Sequence, residues 1–450
     1  MRNGTITLKQ AAQWCGGSVA PEYENVAFFG ANFDTRRLQS GELFVALVGA
    51  RNGHDFARAA MEKGAAAVLA SEALSADIPA IYVKNTETAL QDIARCRRAH
   101  LQVRCVGITG SVGKTTTKEM TAAVLSAAYV TQKTAENFNN GIGLPVTVLG
   151  LTPDCEAAVI EMGMNHAGEL SCLTRIAQPD IAVITNVGTM HIENLGSREG
   201  ILRAKLEMLE GLRPGGVAVF NGDDDMLRGV AQQYHALTFG RNENNDVRAE
   251  NVRVGEEKTS FAVTGFGQTF DVELPVTGEH YVLDALAAIT VGLQCDIAPE
   301  AMAAALADFH NTGMRQRQYS RDGLHIIEDC YNAGPESMRA ALKVLKAAHG
   351  RKIAILGGML ELGDFAPQAH FEVGQAAAQS ADALFAYGAC SGEYVRGAQS
   401  AGMAQAQCFA THEALVQALR KTIRPGDTLL FKGSRGMKME RVLSLLFNEG

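Results

Sequence analysis

The stretch TGSVGKTTTKEM, Thr109–Met120, decides how this chain is read. It follows Val103–Thr109, a short β-branched run bounded by Gly110 that reads as a buried strand, and it leads into apolar spacing over Lys114–Tyr129 that reads as a helix. Strand, glycine loop, Lys-Thr and helix together gather backbone N–H groups at the positive end of a helix, which suits polyphosphate. In that layout Gly110, Ser111, Val112 and Gly113 form the loop. Lys114 reaches the outer phosphates, Thr115 a magnesium ion, and Thr116 sits in the first helical turn. The general phosphate-loop pattern has a glycine five residues before Gly113, where this chain has Ile108. A plain strand-to-helix turn is therefore the competing reading of these residues, and their surroundings have to decide.

At 450 residues the chain exceeds one ordinary core, and a prior of about 150 residues per domain gives three. Charged residues make up 20% and hydrophobic ones 47%, a globular balance. A net charge of −8 with no basic run argues against a nucleic-acid partner. The N-terminal MRNGTITLKQAAQWCGG has no signal-peptide apolar core, and no run approaches the roughly 18 apolar residues of a membrane span. A cytoplasmic protein without stable membrane insertion is expected, with a monomer as the working assumption. Nine scattered cysteines without a C-x-x-C pair argue against a disulfide framework and a zinc site.

Strand and helix patterns divide the chain into an N-terminal α/β domain over residues 1–99, a central domain over 100–312 and a C-terminal domain over 313–450. The central domain carries strands at EAAVIEMG, IAVITNVG and GVAVFNGDD between helical patterns, which implies a mainly parallel, phosphate-loop ATPase-like sheet. Residues 246–275 alternate polar and apolar around Gly turns and read as antiparallel. Beyond 312, LHIIED, KIAILGG, ALFAYG and DTLLFKG alternate with helices as in a doubly wound, Rossmann-like domain.

Ligands of open parallel sheets sit beyond the carboxyl ends of the strands. Glu161 ends AAVIE, Asn186 ends IAVITN, and His191 follows in VGTMHIEN. A carboxylate beside a phosphate loop is where a magnesium ligand is needed, although any one of these residues alone reads equally as a cap or an ordinary loop contact. On a helix expected over Ser197–Leu212, Lys205 falls near the middle of an apolar arc that includes Ile201, Leu202 and Met208. A lysine there must snorkel, pair or be chemically altered. Asn137, Asn139 and Asn140 suit a loop that presents donors and acceptors, or an ordinary turn. In KGSRGMKME, Lys432 and Arg435 could hold a carboxylate or phosphate, or form a solvated basic turn.

Taken together, TGSVGKTT, ENFNNGIGLP, YNAGPESM, GGMLELGDFAPQAH and KGSRGMKME resemble the Mur ligases of peptidoglycan synthesis. The resemblance runs through all three domains, from FDTRRLQSGELFVALVG onwards. It implies ATP-dependent amide synthesis through an acyl phosphate, and the match is closest to the branch that joins D-Ala-D-Ala to a UDP-N-acetylmuramoyl-tripeptide. By that resemblance Lys114 and Thr115 serve ATP and Mg2+, Glu161 and His191 the metal site, and Lys205 is a carbamylated lysine that helps hold a second magnesium. Arg315 and Asp329 reach ATP across a domain gap, and His280 lies near the adenine. Asn137, Asn139, Asn140 and Asn186 line the tripeptide and metal region, with Asn332, Lys432 and Arg435 also on the substrate side. Asp34, Thr35 and Arg36 fall where the family holds uridine diphosphate. Four positions depart from its usual pattern: Tyr281 and Asp284 replace amides near the adenine, Gly334 replaces an Asn, and Gly358 replaces an acid. Folylpolyglutamate synthase shares the loop and the lysine but not the N-terminal pattern. A GTPase switch would need an N-K-x-D segment, which the sequence lacks. A catalytically dead paralogue fits poorly with retention of Lys114, Thr115, Glu161, His191 and Lys205.

Overall fold

Val106, Ile108, Val159, Ile160 and Val183 are completely buried, as strands covered by helices on both faces must be. They form the middle of a nine-stranded sheet in the computed structural model, which describes residues 4–74, 77–311 and 313–447. Strand Arg104–Thr109 lies between Ala157–Glu161 and Ile181–Ile184, parallel to both. Glu161 pairs in register with Ile108, and Ile184 with Thr109. Register thus delivers the loop after Thr109, the Glu161 side chain and the turn after Ile184 to one edge. The chain leaves Arg104–Thr109 toward one side of the sheet and later fills the other, so that edge is a topological switch point.

Helix Lys114–Ser126 follows the glycine loop and ends three residues before the sequence pattern does, residues 127–129 closing it as a turn. The far end of the sheet is antiparallel, with Val247–Val254, Thr259–Gly265 and Gln268–Leu274 in meander order. One expectation needs correction. The helix that carries Lys205 runs only from Arg198 to Leu206 and then tightens into a 3-10 turn over Glu207–Gly211. Contacts from helix Glu169–Ala177 and its N-cap redirect the chain there: Thr174 Oγ1 donates to the Met208 carbonyl at 2.6 Å, and the Glu207 carboxylate accepts from the Gly168 N–H at 2.8 Å.

The N-terminal region has a five-stranded sheet, parallel from Ala31–Asn32 through Leu43–Val45 and Ala67–Ala70 to Ala80–Tyr82, with Ser18–Val19 antiparallel at its edge. The C-terminal region has six strands, of which only Arg317–Arg321 runs antiparallel to its neighbour. Thr428–Lys432 is inserted between Leu324–Asp329 and Lys352–Gly357, which brings Asp329 opposite Lys432 at the carboxyl edge. The junction expected at 312 falls on Thr312, outside the described residues. Among the described residues no helix is long and apolar enough to cross a membrane.

Helices Ala366–Ala378 and Ser391–Ser400 meet at glycines. A Cβ on Gly374 would lie 2.1 Å from the Tyr394 carbonyl oxygen, and one on Gly397 would lie 2.0 Å from that of Phe371. Both obstacles are backbone and cannot rotate away. Gly397→Ala is expected to lower stability by about 1–3 kcal/mol or more through overpacking, measured as a lower urea midpoint with an unchanged slope.

Candidate active site

The glycine loop is shaped by what stands against it. A Cβ on Gly110 would lie 1.8 Å from Thr185 Oγ1, and one on Gly113, whose φ is +84°, would lie 2.6 Å from Asp284 Oδ1. Asn186 clamps the loop from beneath: its Oδ1 accepts from the Val112 N–H at 3.0 Å and its Nδ2 donates to the Val112 carbonyl at 2.9 Å. Lys114 folds back over the loop and donates to the carbonyls of Gly110 at 2.8 Å and Ser111 at 3.3 Å. The first-turn N–H groups of the following helix lack intrahelical acceptors by construction. A cradle of this kind takes an anion at the helix end.

Beneath the loop, Thr115 Oγ1 donates to Glu161 Oε2 at 2.9 Å, and Asn139 Nδ2 donates to Glu161 Oε1 at 2.9 Å. Glu161 is 2% exposed. A hydroxyl and a buried carboxylate in contact below a phosphate cradle are hard oxygen donors of the sort magnesium uses, with phosphates and water completing its shell. These residues therefore fit Mg2+. Among the described residues no cluster of three or more His, Cys, Asp or Glu side chains forms a metal site, so an all-protein cage is not what the geometry offers. Lys118, also buried, donates to the Thr134 carbonyl at 2.9 Å, with its Nζ 4.0 Å from Glu161 Oε2.

The cleft above holds about 560 Å³ and is walled by both the central and C-terminal domains. Residues 111–116, Asn139, Asn140, Glu161, Asn186, His191 and His280 reach it from one side, and Arg315, Asp329, Asn332 and Lys432 from the other. Arg315 stacks on the Tyr331 ring at 3.8 Å, and Lys432 Nζ donates to Asp329 Oδ2 at 2.7 Å and to the Asn332 carbonyl at 3.0 Å. His191 has a left-handed backbone, φ +64°, and its Nδ1 lies 2.5 Å from Glu361 Oε2 of the C-terminal domain. Burial holds the Lys114 ammonium below its ordinary pKa, with Glu161 opposing and Arg315 adding to the shift. Burial and the Lys114 charge lower His191, with Glu361 opposing. Burial takes His280 down to about 4.

Lys205 is 1% exposed, and among the described residues no hydrogen bond or ion pair reaches its Nζ. Burial pushes its pKa well below the lysine range, Lys114 pushes the same way, and Asp224 opposes. Pairing is absent among the described residues. Five other sequence candidates, Asp34, Thr35, Arg36, Asn137 and Arg435, lie apart from the cleft. Asp34 and Arg36 pair with each other at 2.7 Å on the N-terminal domain, in the turn that holds Thr35. Asn137 is exposed beside Glu136, which pairs with Arg37 of that same turn at 3.0 Å. Arg435 is turned to Glu440 at 3.0 Å. Asn140 lines the cleft while its Oδ1 closes its own turn on the N–H groups of Ile142 and Gly143.

Comparison with known proteins bears on this geometry. Residues 108–292 match the model of the Mur ligase middle domain, and residues 314–435 match that of the Mur ligase glutamate ligase domain. The UDP-N-acetylmuramoyl-tripeptide–D-alanyl-D-alanine ligase of Bacillus subtilis is 41% identical over 447 residues, 97% of each chain. The chain belongs to the Mur ligase family. Among solved structures, MurF from Acinetobacter baumannii superposes on this Mur ligase with a TM-score of 0.91 over the whole of both chains at 30% identity. MurF ligase from Thermotoga maritima in complex with ADP superposes with a TM-score of 0.81 over 94% of this chain and 97% of that one, at 29% identity.

The departures from the usual Mur ligase pattern find partners in the fold. A Cβ on Gly334 would lie 2.7 Å from Met190 Cγ, so the glycine admits a methionine from the central domain. Tyr281 lines the cleft, and its hydroxyl accepts from Asn311 Nδ2 at 2.7 Å. Sequence reasoning missed Glu361 and Glu336 of this Mur ligase, both in motifs it quoted; an acid just after a helix-starting Pro335 was the available signal for the second. Asp284 is buried, accepts from Thr117 Oγ1 at 2.8 Å, and is raised to about 7 by burial against that hydrogen bond. An unfolded aspartate ionises near 4, so between about 4 and about 7 the folded state binds the extra proton and stability falls as pH rises, levelling above that window. Asp284→Asn is expected to shrink the fall in melting temperature between pH 5 and pH 8; an unchanged fall would place the slope elsewhere.

Proposed function

We propose that this chain is an ATP-dependent ligase that joins D-Ala-D-Ala to UDP-N-acetylmuramoyl-tripeptide, acting as a monomer on cytoplasmic precursors. The observation that carries the reading is a single cleft into which the phosphate loop, the Thr115–Glu161 pair and the C-terminal Arg315, Asp329 and Lys432 all converge, in a chain of this family that matches such ligases along its full length. A carboxylate is too poor an electrophile to acylate an amine. Transfer of the γ-phosphoryl group of ATP to the tripeptide's terminal carboxylate gives an acyl phosphate, which the dipeptide amine then opens. Mg2+, when bound by Thr115 and Glu161, supplies charge neutralisation on the phosphates.

The chain's own groups have separable parts in this scheme. The loop N–H groups and Lys114 hold the phosphates, Arg315 adds charge from the facing domain, and closure of the two walls keeps water from the acyl phosphate. His280, neutral at working pH, faces the base end of the nucleotide. His191, held by Glu361, supports the metal side of the cleft. The N-terminal turn Asp34–Arg36, joined through Arg37 and Glu136 to the loop that carries Asn137, Asn139 and Asn140, suits a substrate long enough to keep its uridine diphosphate there while its peptide end enters the cleft.

Lys205 is read as a carbamate. An amine must be neutral to add to carbon dioxide, and burial favours that form; the anion so formed is then stabilised by the Lys114 charge it faces. Two outcomes follow. Phosphate release from ATP should require Mg2+, the tripeptide nucleotide and D-Ala-D-Ala together, with Glu161→Gln lowering kcat about a hundredfold or more; equal release without the dipeptide, or a requirement for GTP, defeats the assignment. Lys205→Ala should lose most activity while folding normally and regain part of it with short carboxylic acids, whereas Lys205→Arg should stay inactive because guanidinium cannot be carbamylated. An active Lys205→Arg enzyme would show that a positive charge is what the site needs.

A further inference from the structure

Glu336 stands in the first turn of helix Pro335–Ala347 of the C-terminal domain and crosses to the central one. Its Oε1 accepts from both the N–H and the Oγ1 of Thr189, each at 3.0 Å. The adjoining Gly188 N–H donates to Ser111 Oγ of the phosphate loop at 2.9 Å, so the loop's partner and the carboxylate's are consecutive residues. Close approach is built in: a Cβ on Gly188 would lie 2.7–2.9 Å from the carboxyl carbon and both oxygens of Glu336. The second oxygen, Oε2, is buried and has no hydrogen-bond partner among the described residues, although the residue lines the cleft. Arg198 feels the charge of Glu336, but its guanidinium is spent on Asp225 at 2.6 and 2.9 Å and on the Val187 carbonyl.

A carboxylate fixed by one oxygen, with the other out of water and lacking a donor, is an expensive arrangement in isolation. A charged N–H donor supplied by a ligand completes it, and such bonds are short and strong. Of the groups that react in this cleft, the carboxylate and the phosphates are anionic; the amine alone arrives as a cation. We infer that Glu336 receives the ammonium of the incoming dipeptide and holds its nitrogen for attack on the acyl phosphate, an inference that rests on the ligase reading above. Glu336 takes one proton from the ammonium and exposes the lone pair. The C–N bond forms as the bond from the acyl carbon to the phosphate oxygen breaks, and the second nitrogen proton leaves with inorganic phosphate as HPO4 2−.

Glu336→Gln keeps the shape and the Thr189 hydrogen bonds but removes the charge. It is expected to raise KM for D-Ala-D-Ala about tenfold or more, the loss of one charge-assisted bond. With ATP and the tripeptide nucleotide but no dipeptide, acyl phosphate trapped as the hydroxamate by hydroxylamine should stay within about twofold of wild type, because that half-reaction needs no ammonium. The acid limb of kcat/KM for the dipeptide should move up toward the pKa of a free α-ammonium, about 8, and Glu336→Asp should recover part of the lost affinity. An unchanged dipeptide KM in Glu336→Gln overturns the inference. So does hydroxamate formation that falls in step with the full reaction, since Glu336 would then only tie the two domains together. Wild-type enzyme that yields no hydroxamate from ATP and the tripeptide nucleotide would overturn the ligase reading itself, and this inference with it.

Discussion

Burial of cationic nitrogen without matching anions is the constraint around which the cleft is arranged. Lys114 satisfies itself on the carbonyls of its own loop, and Lys205 has no partner at all among the described residues. Arg315 brings further positive charge from the opposite wall. Burial makes the charged forms of Lys114 and Lys205 costly, since desolvation favours the neutral amine. A polyanion that displaces Lys114 from its backbone acceptors gains contacts already stripped of water, where Coulombic attraction is stronger than at a surface. Two of the cleft's carboxylates are engaged elsewhere, Glu161 with Thr115 and Asn139 and Asp329 with Lys432, while Glu336 keeps one oxygen without a partner among the described residues. Around Lys114 and Arg315 the loop thus favours an anion at the helix end.

How this arrangement arises from the chain is largely a matter of register. A parallel strand aligned on Arg104–Thr109 must end at the same edge, so Glu161 and Asn186 could be placed near the loop from strand patterns alone. The alternation of apolar runs and glycine turns was equally sufficient for the antiparallel meander and for the C-terminal sheet. Local patterns failed where tertiary contacts overrode them. Nothing in the spacing of Ser197–Leu212 announces that Thr174 and Gly168 will tighten its last turn, because both belong to a helix and its cap more than thirty residues away in sequence.

Side-chain commitments were less legible than positions. Asn186 was legible as a polar residue at a strand end, but its service to the Val112 peptide group depends on how the loop curls. Arg435 and Lys432 look alike in KGSRGMKME; only the pairing of Lys432 with Asp329 across adjacent strands separates the buried one from the surface one. Glu336 and Glu361 belong to motifs that could be quoted, yet their meaning lies in contacts made on another domain. Lys205 is the opposite case: the helical arc alone raised the question of its charge, and burial without a partner sharpened it.

The glycine crossing of Ala366–Ala378 and Ser391–Ser400 has a mechanical consequence. Helices that touch backbone to backbone have no layer of side chains between them to slide or repack, so this part of the C-terminal domain answers a force as a solid body. Helix Pro335–Ala347 is fastened to it through Arg339 and Glu372 at 2.7 Å. A solid body carries all its outward contacts with it when it turns. Glu336 on Thr189 and Glu361 on His191 are thus two contacts that one stiff unit makes with the central domain, like two wards cut on one key.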